Sequence, residues 1–348
     1  MVIGASMGVQ LGDVVPKEKT ELEKLRGKVV AIDAMNALYQ FLSIIRQRDG
    51  EPLKDSKGRI TSHLSGLFYR TANLVEMGIR PIYVFDGEPP RLKSRTLETR
   101  RTVRAEADKA YKAALKAGDI AEARKQAQRA ARLTGEMVDE STALLKRMGV
   151  AWVQAPSEGE AQAARLVQRG DAWAAASQDF DSLLFGAPIL VRNVAITGRR
   201  KLPGKDVYVE VVPEVMELQK LLDGLGIDRQ GLVAIGILVG TDYNAGIKGI
   251  GPKKALKLVK EHGSIEKITQ TELKGEFEVD PIEIEKIFLK PKVTDKYKLK
   301  WDEPNPDGIK EFLCEEHDFS ESRVQTGIDR LLKGAGERAQ ESLEKWFG

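Results

Sequence analysis

Short apolar runs and amphipathic stretches alternate along the first part of the chain. Residues 28–34 (KVVAIDA) and 81–86 (PIYVFD) are apolar almost throughout, as strands buried on both faces are, and residues 150–153, 172–176 and 189–193 are shorter runs of the same kind. Between them, residues 36–48, 61–77 and 160–169 carry apolar side chains at helical spacing, while residues 50–59 read as a polar, glycine-containing loop and GEPP ends the second run. This alternation predicts an α/β fold, with a mostly parallel central sheet flanked by helices.

Two segments depart from the pattern. Residues 91–133 are nearly all helix formers with few large apolar residues, and Gly118-Asp119 interrupts them. They predict two helices joined by a tight turn that project from the core rather than pack into it. From Pro213 onward the chain reads as helical, with turns at residues 246–252 and at Gly263. A short amphipathic tail, residues 337–347, stands behind a flexible Gly334-Ala335-Gly336, and no internal repeat or low-complexity tract is present.

Composition narrows the class. At 348 residues the chain can bury a large core and is long enough for about two domains, and 42% hydrophobic with 31% charged residues marks a soluble globular protein. The longest apolar stretch near the middle, residues 232–240, is too short to span a bilayer, and MVIGASMGVQ lacks the features of an export signal. A single cysteine, Cys314, excludes an intrachain disulfide and a cysteine-based zinc site, which fits a reducing compartment. The net charge of +3 conceals an asymmetry: residues 91–132 hold 13 Lys/Arg against 5 Asp/Glu, so the rest of the chain carries a net of −5. A basic segment beside acids is what a metal-dependent enzyme acting on a polyanion needs; a solvated pair of basic helices is the plainer alternative.

The acids give the asymmetry a chemistry. Asp33, Asp86, Glu158, Glu160, Asp179, Asp181 and Asp242 stand at or just past the ends of apolar runs. In a parallel α/β sheet that edge is where ligands bind. Two carboxylates ~4 Å apart repel by roughly 4 kcal/mol at an effective dielectric of 20, so a converging set needs cations. Magnesium takes hard oxygen ligands from separate loops, and a pair of such ions can orient a water and stabilise a leaving oxygen in phosphodiester hydrolysis. Asp179 and Asp181 fall on one side if their segment is extended. A phosphotransferase with an aspartyl nucleophile could also use that pair, but would leave five acids unexplained.

Three further features bear on the partner. Lys93, Arg100 and Arg104 share one helical face and could meet a phosphate track. GIKGIGPKK, residues 246–254, clusters three glycines (Gly246, Gly249 and Gly251) and opens a helix with Pro252, Lys253 and Lys254, a backbone-amide cradle for phosphate. Gln340, Leu343, Trp346 and Phe347 share one side of the tail helix, as in a peptide that docks into another protein; a terminal helix folded on its own core is the alternative. His63, His262 and His317 are isolated in sequence, and none reads as a metal ligand or catalytic base.

Taken together, AIDAMNALYQFL, GRITSHLSGLFYRT, VFDGEPP, APSEGEAQAA, QDFDSLLFG, GTDYNAGIKGIGPKKA and QESLEKWF resemble the flap endonucleases of the structure-specific 5′-nuclease superfamily in their archaeal form, and they cover nearly the whole chain in order. The resemblance implies a PIN-like nuclease core with a helical arch and a C-terminal helix–two-turn–helix region. Its expected divisions are an N-terminal nuclease region at 7–105, the arch at 88–135, an internal nuclease region at 123–265, a helical region at 266–333 and a clamp-binding tail at 334–348. It implies Asp33, Asp86, Glu158 and Glu160 around one magnesium and Asp179, Asp181 and Asp242 around a second, with manganese as a substitute. It assigns Lys93 and Arg100 to the scissile phosphate, Tyr39 to a base near the cut, and Arg46 and Arg70 to the bent substrate strand, with Arg104 left as a DNA contact on its helical spacing alone. Gly249, Gly251, Lys253 and Lys254 would grip duplex backbone with a potassium ion, Thr61 and Arg323 would meet a one-nucleotide 3′ flap, and Gln340, Leu343, Trp346 and Phe347 would bind the replicative sliding clamp. The implied activity is hydrolysis at the base of 5′ flaps, with 5′–3′ exonuclease action, in Okazaki-fragment maturation and repair, by a monomer in an archaeal cytoplasm. A bubble or junction nuclease, and a non-catalytic clamp-associated DNA-binding protein, are the competing readings. Six residues precede Met7-Gly8, where the family usually starts; His317 stands where a lysine is expected; and the long basic tail of eukaryotic relatives is absent.

Overall fold

The computed structural model describes the backbone of residues 9–195, 198–201, 208–273 and 276–347; the side chains of residues 95, 198–201, 208–210, 339 and 341–347 lie outside the description. Among these residues, β1 (Glu18–Lys19), β2 (Val29–Asp33), β3 (Arg80–Phe85), β4 (Ala151–Gln154), β5 (Ala174–Ala176), β6 (Ile189–Arg192) and β9 (Glu214–Glu217) form one sheet. Its order is β1-β9-β6-β5-β2-β3-β4, and β7 (Gly198–Lys201) pairs separately with β8 (Tyr208–Val211). The five strands from β6 to β4 run parallel, and β9 and β1 add an antiparallel edge.

The apolar runs become central strands because both faces of the sheet are covered. Along β2 and β3, Val30, Ile32, Tyr83 and Phe85 join one core, and Ala31, Ile82 and Val84 join the other, the period-two alternation of a pleated strand. The first core is closed by α1 (Ala34–Ile44), α2 (Ser62–Glu76), α5 (Gly135–Arg147) and α14 (Glu321–Phe347). The second is closed by α6 (Gly159–Gln168), α7 (Asp181–Leu184), α9 (Arg229–Val239), α10 (Pro252–His262) and α12 (Pro281–Leu289). The remaining helices are α3 (Ser94–Lys116), α4 (Ile120–Arg129), α8 (Leu218–Leu225), α11 (Ile265–Thr271) and α13 (Pro306–Lys310). The Tyr83 hydroxyl, fully buried, shares a 2.8 Å hydrogen bond with Thr71 Oγ1. Leaving it unpaired there would cost about 1–3 kcal/mol.

The structure corrects the sequence reading of several elements. Residues 213 onward do not start as helix: Glu214–Glu217 is a strand between β1 and β6, too short and too polar for its pattern to register. The β7–β8 hairpin is also missing from that reading, although Pro203-Gly204 and the Val- and Tyr-rich run at 207–212 carry a turn and strand signal. Of the two basic helices, α4 does pack, with Ala123, Gln126 and Ala127 buried; alanines let it approach the core closely, so large apolar residues are not needed. The hinge expected at Gly334–Gly336 is helical, since α14 runs through it.

Gly334 is there for packing. A Cβ on it would lie 2.2 Å from the Val75 carbonyl oxygen at the end of α2, whereas one on Gly336 meets nothing within 4 Å. Gly334→Ala should therefore destabilise the protein by about 1–3 kcal/mol. Gly336→Ala, gaining helix propensity, should be neutral or stabilising by up to about 1 kcal/mol. Denaturant unfolding of the two variants checks this, and equal midpoints would restore the hinge.

Candidate active site

Strand direction brings the acids together. Asp33 is the last residue of β2, Asp86 follows β3, Glu158 caps α6 just beyond β4, and Asp179 and Asp181 follow β5, so all leave the sheet at its carboxyl edge. Glu160 lies in the first turn of α6, and Asp242 arrives from the second layer, just past the Gly240 that ends α9. Asp179 and Asp181 are not on an extended segment as expected: Phe180 is helical and Asp181 opens α7.

Each carboxylate is held by local donors. The Asp33 side chain accepts from the Asn36 amide at 3.0 Å, and Asp86 Oδ1 accepts from the Gly159 amide at 2.7 Å. Asp181 Oδ1 accepts from the Val9 amide at 2.9 Å, and Glu160 Oε1 accepts from Ser182 Oγ at 3.2 Å. Asp179 Oδ2 accepts from Asn36 Nδ2 at 2.8 Å. Glycine at position 159 leaves room for the bond to Asp86: a Cβ there would lie 2.7 Å from Asp86 Oδ1 and 3.1 Å from the Val84 carbonyl, so it would push the carboxylate aside.

Asn36 escaped the sequence reading. It is buried, takes its place three residues after the N-cap Asp33, and ties that acid to Asp179 across 143 residues. The Asp-x-x-Asn spacing marked a cap, but only the tertiary arrangement shows that its amide reaches a second carboxylate.

Burial raises the pKa of most of the set. Asp33 is pushed up to about 7 by burial and then by the charge of Asp86, and Asp181 to about 7 by burial and then by Asp242. Burial followed by Asp181 lifts both Glu160 and Asp179 well above the carboxylate range, and burial also raises Asp86 and Glu158. Asp242 is the exception: burial opposes its charge, but Lys93 and Arg100 outweigh it and the pKa falls.

Those two cations come from the basic segment. Lys93 Nζ lies 2.6 Å from Glu158 Oε2 and 3.3 Å from Asp242 Oδ2, and Arg100 Nη2 lies 2.5 Å from Asp242 Oδ1. Burial works against the Lys93 charge, yet Glu158, Asp242 and Asp86 raise its pKa above the ordinary lysine value. Arg104 does not join them; it lies over the Tyr39 ring at 5.6 Å. Beside Arg100 and Asp242 opens a cleft of about 1050 Å³, bounded by α3 and by the Val239–Pro252 turn.

The other expected residues lie away from the acids. Gly249 and Gly251 face open space, and Lys253 and Lys254 are exposed on the first turn of α10. Arg46 donates to the Gly50 carbonyl at 2.8 Å, and burial lowers the pKa of both Arg46 and Arg70. Thr61 is buried at the start of α2, and Arg323 is exposed on the first turn of α14. Gln340 is exposed, while the side chains of Leu343, Trp346 and Phe347, and residues 1–8, lie outside the described residues. Two histidines isolated in sequence meet in space: Glu140 takes His63 Nε2 at 2.9 Å through one oxygen and His317 Nε2 at 3.9 Å through the other.

The acids also fix a pH dependence. Between about pH 4 and pH 7 the folded chain holds protons that the unfolded chain has released, so without metal its stability falls as pH rises through that window. A divalent ion that binds the ionised carboxylates displaces those protons and reverses the trend. Buried His317, with its pKa lowered, acts in the opposite direction but equally with and without metal. Melting curves in chelator should thus lose temperature from pH 5 to pH 7.5, and excess magnesium should remove the loss; parallel curves would refute the coupling.

Among the described residues, no group of three or more His, Cys, Asp or Glu side chains is drawn in tightly enough to grip an ion. The set nonetheless fits a hard divalent cation: every donor is an oxygen, Asp33 and Asp181 are buried and the others half-buried, and the cations they meet here are the side chains of Lys93 and Arg100.

Known proteins are similar to this chain in sequence and fold. Residues 7–107 match the XPG N-terminal domain and residues 149–242 the XPG I-region. The chain is 59% identical over 348 residues to the flap endonuclease 1 of Hyperthermus butylicus, covering 98% of this chain and 99% of that one. It aligns with the solved flap endonuclease-1 of Methanococcus jannaschii at a TM-score of 0.75 and 44% identity, over 95% of this chain and 100% of that one. With the catalytic core of Rad2 in complex with DNA substrate the TM-score is 0.67 and the identity 25%, over 90% and 96% of the two chains.

Proposed function

The chain belongs to the flap endonuclease 1 family of phosphodiester hydrolases, and on that premise we propose how its residues divide the work at the base of a 5′ flap. The observation that carries the reading is the meeting of Lys93 and Arg100, from the basic segment, with Glu158 and Asp242 at the acid edge. Groups suited to a polyanion and groups suited to a metal ion are in direct contact there, and Arg100 and Asp242 border the cleft.

Asp33, Asp86, Glu158 and Glu160 hold one magnesium, and Asp179, Asp181 and Asp242 a second, with manganese able to replace them. Glu160 stands between the sets, since Asp181 is the strongest charge acting on it, ahead of Asp33 and Asp179. Divalent ions bound there supply Lewis-acid polarisation of the phosphate and a water activated for attack. Asn36, Gly159, Ser182 and the Val9 amide orient the carboxylates. Lys93 and Arg100 exchange their carboxylate contacts for the scissile phosphate and stabilise the charge that builds on it.

DNA is the partner, as it is for Rad2 in its solved complex. Tyr39 packs against a base near the cut with Arg104 beside it, and Arg46 and Arg70 hold the bent strand. Gly249, Gly251, Lys253 and Lys254 cradle duplex phosphates, with potassium at the same turn. Thr61 and Arg323 receive a one-nucleotide 3′ flap. No helix among the described residues is long and apolar enough to cross a membrane, and we assign the protein to an archaeal cytoplasm as a monomer acting in replication and repair.

Cleavage of single-flap, double-flap, nicked and bubble DNA under one set of conditions tests the reading. Flap substrates should be cut fastest, only with divalent metal, and with affinity falling steeply as salt rises. A preference for bubbles would support the junction-type alternative, and binding without cutting the non-catalytic one. The tail carries its own test: a Trp346→Ala, Phe347→Ala double variant should lose most of its affinity for the sliding clamp and keep its cleavage of isolated flaps. Full clamp binding would remove the tether role.

A further inference from the structure

A second cavity, of about 470 Å³, opens at the opposite edge of the sheet, where β2, β3 and β4 begin. Its wall is completed by the loop carrying Trp301 and by the middle of α14, from Gly334 to Arg338. β3 spans six residues, so at about 3.3 Å per residue this cavity stands about 20 Å from Asp86. None of the residues assigned above to metal or DNA lines it.

Two arginines face this space without a carboxylate in salt-bridge contact among the described residues. The Arg80 guanidinium lies over the Trp301 ring at 5.3 Å, and Trp301 Nε1 is fixed by a 3.1 Å bond to the Pro81 carbonyl. Arg338 Nη2 reaches only the carbonyls of Trp301 and Asp302, at 3.5 and 3.4 Å. The two carboxylates in the wall are engaged elsewhere, Glu337 with Arg26 at 3.1 Å and Asp302 with Lys300 at 2.7 Å. Among the described residues no carboxylate forms an ion pair with Arg80 or Arg338. Burial lowers the Arg338 pKa and the charge of Arg80 lowers it further, with Asp302 opposing both. Two such forks across a half-buried space are suited to a phosphate, which accepts parallel hydrogen bonds from both. The rest of the wall is different in kind: Ile79, Pro81 and Met148 are apolar, and Trp301 offers an aromatic surface. The volume falls in the range of small-molecule sites and far exceeds what an inorganic anion fills.

We propose that this cavity binds a nucleotide-sized organic phosphate, its phosphate between Arg80 and Arg338 and its planar ring against Trp301 and the apolar wall. Because α14 forms one side and continues into the tail, occupancy would also stiffen the last turns of that helix.

Calorimetric titration of the full chain in chelator, which silences the acid edge, tests the site with ADP, adenosine and inorganic phosphate as separate probes. ADP should bind saturably, and adenosine and phosphate at least about tenfold more weakly, since each uses half the site. Arg338→Gln and Arg80→Gln should each weaken ADP by at least about tenfold, the effect of losing one charge-assisted contact, with flap cleavage and the unliganded melting temperature unchanged. If Arg80→Gln melts lower through loss of its Trp301 contact, Arg338→Gln decides. The proposal is overturned if ADP does not bind, if phosphate alone matches it, or if Arg338→Gln binds as the parent does. It is equally overturned if Lys93→Ala or Lys253→Ala abolishes ADP binding, which would place the nucleotide in the DNA cleft.

Discussion

Replacing Asp181 by asparagine should lower single-turnover flap cleavage by more than the roughly 10²–10³-fold that the loss of one preorganised electrostatic contact costs. The substitution keeps size and keeps an oxygen for the Val9 amide, so the fold around α7 should stand. It removes a buried negative charge that faces Asp242 and Glu158 as neighbours. A cation held by that group of charges loses affinity, and the remaining acids lose part of their mutual repulsion. DNA binding in chelator should therefore be equal to or tighter than the parent's, while cleavage collapses and the chelator-specific pH dependence of melting shrinks. Undiminished magnesium-dependent cleavage would refute the assignment of Asp181 to the metal site.

The second large effect is at Lys93. With two carboxylates within 3.3 Å, its ammonium occupies the acid edge as a resident cation. Lys93→Ala should reduce the single-turnover rate constant by about 10²–10³-fold if the group stabilises charge on the scissile phosphate. It also removes a positive charge that competes with a divalent ion, so half-saturation by magnesium should shift to lower, not higher, concentration. That pair of readouts separates the assignment from a structural one. A variant that binds DNA poorly but cuts at the parental rate once saturated would show that Lys93 only recruits substrate, and a variant needing more magnesium would show that it supports the metal site.

The central strands were legible because residues 29–32 and 81–85 are apolar without interruption, which only a sheet covered on both faces accommodates. β9 was not, because Glu214, Val215 and Glu217 are only partly buried and just Met216 is fully enclosed. The packing of α4 was hidden for a related reason: alanine is at once the best helix former and a residue that reveals no side of the helix. Gly334 misled in the opposite sense, since glycine in a sequence signals freedom and here marks a collision avoided.

The candidate site divides along the same line. Sequence alone determined the inventory: seven acids at the ends of apolar runs, a basic helix, and a glycine cradle opening α10. Parallel strands force such ends to one edge, so convergence of most of the acids followed from the pattern. What the tertiary structure decided was pairing. Lys93 and Arg100, rather than Arg104, reach the carboxylates, and Asn36 joins Asp33 to Asp179. His63 and His317 share Glu140, and Arg80 and Arg338 face one cavity from segments more than two hundred residues apart. Periodicity reports which face of an element is buried, because burial acts on each residue separately. Which charged group meets which depends on the relative placement of distant elements, and no local spacing encodes that.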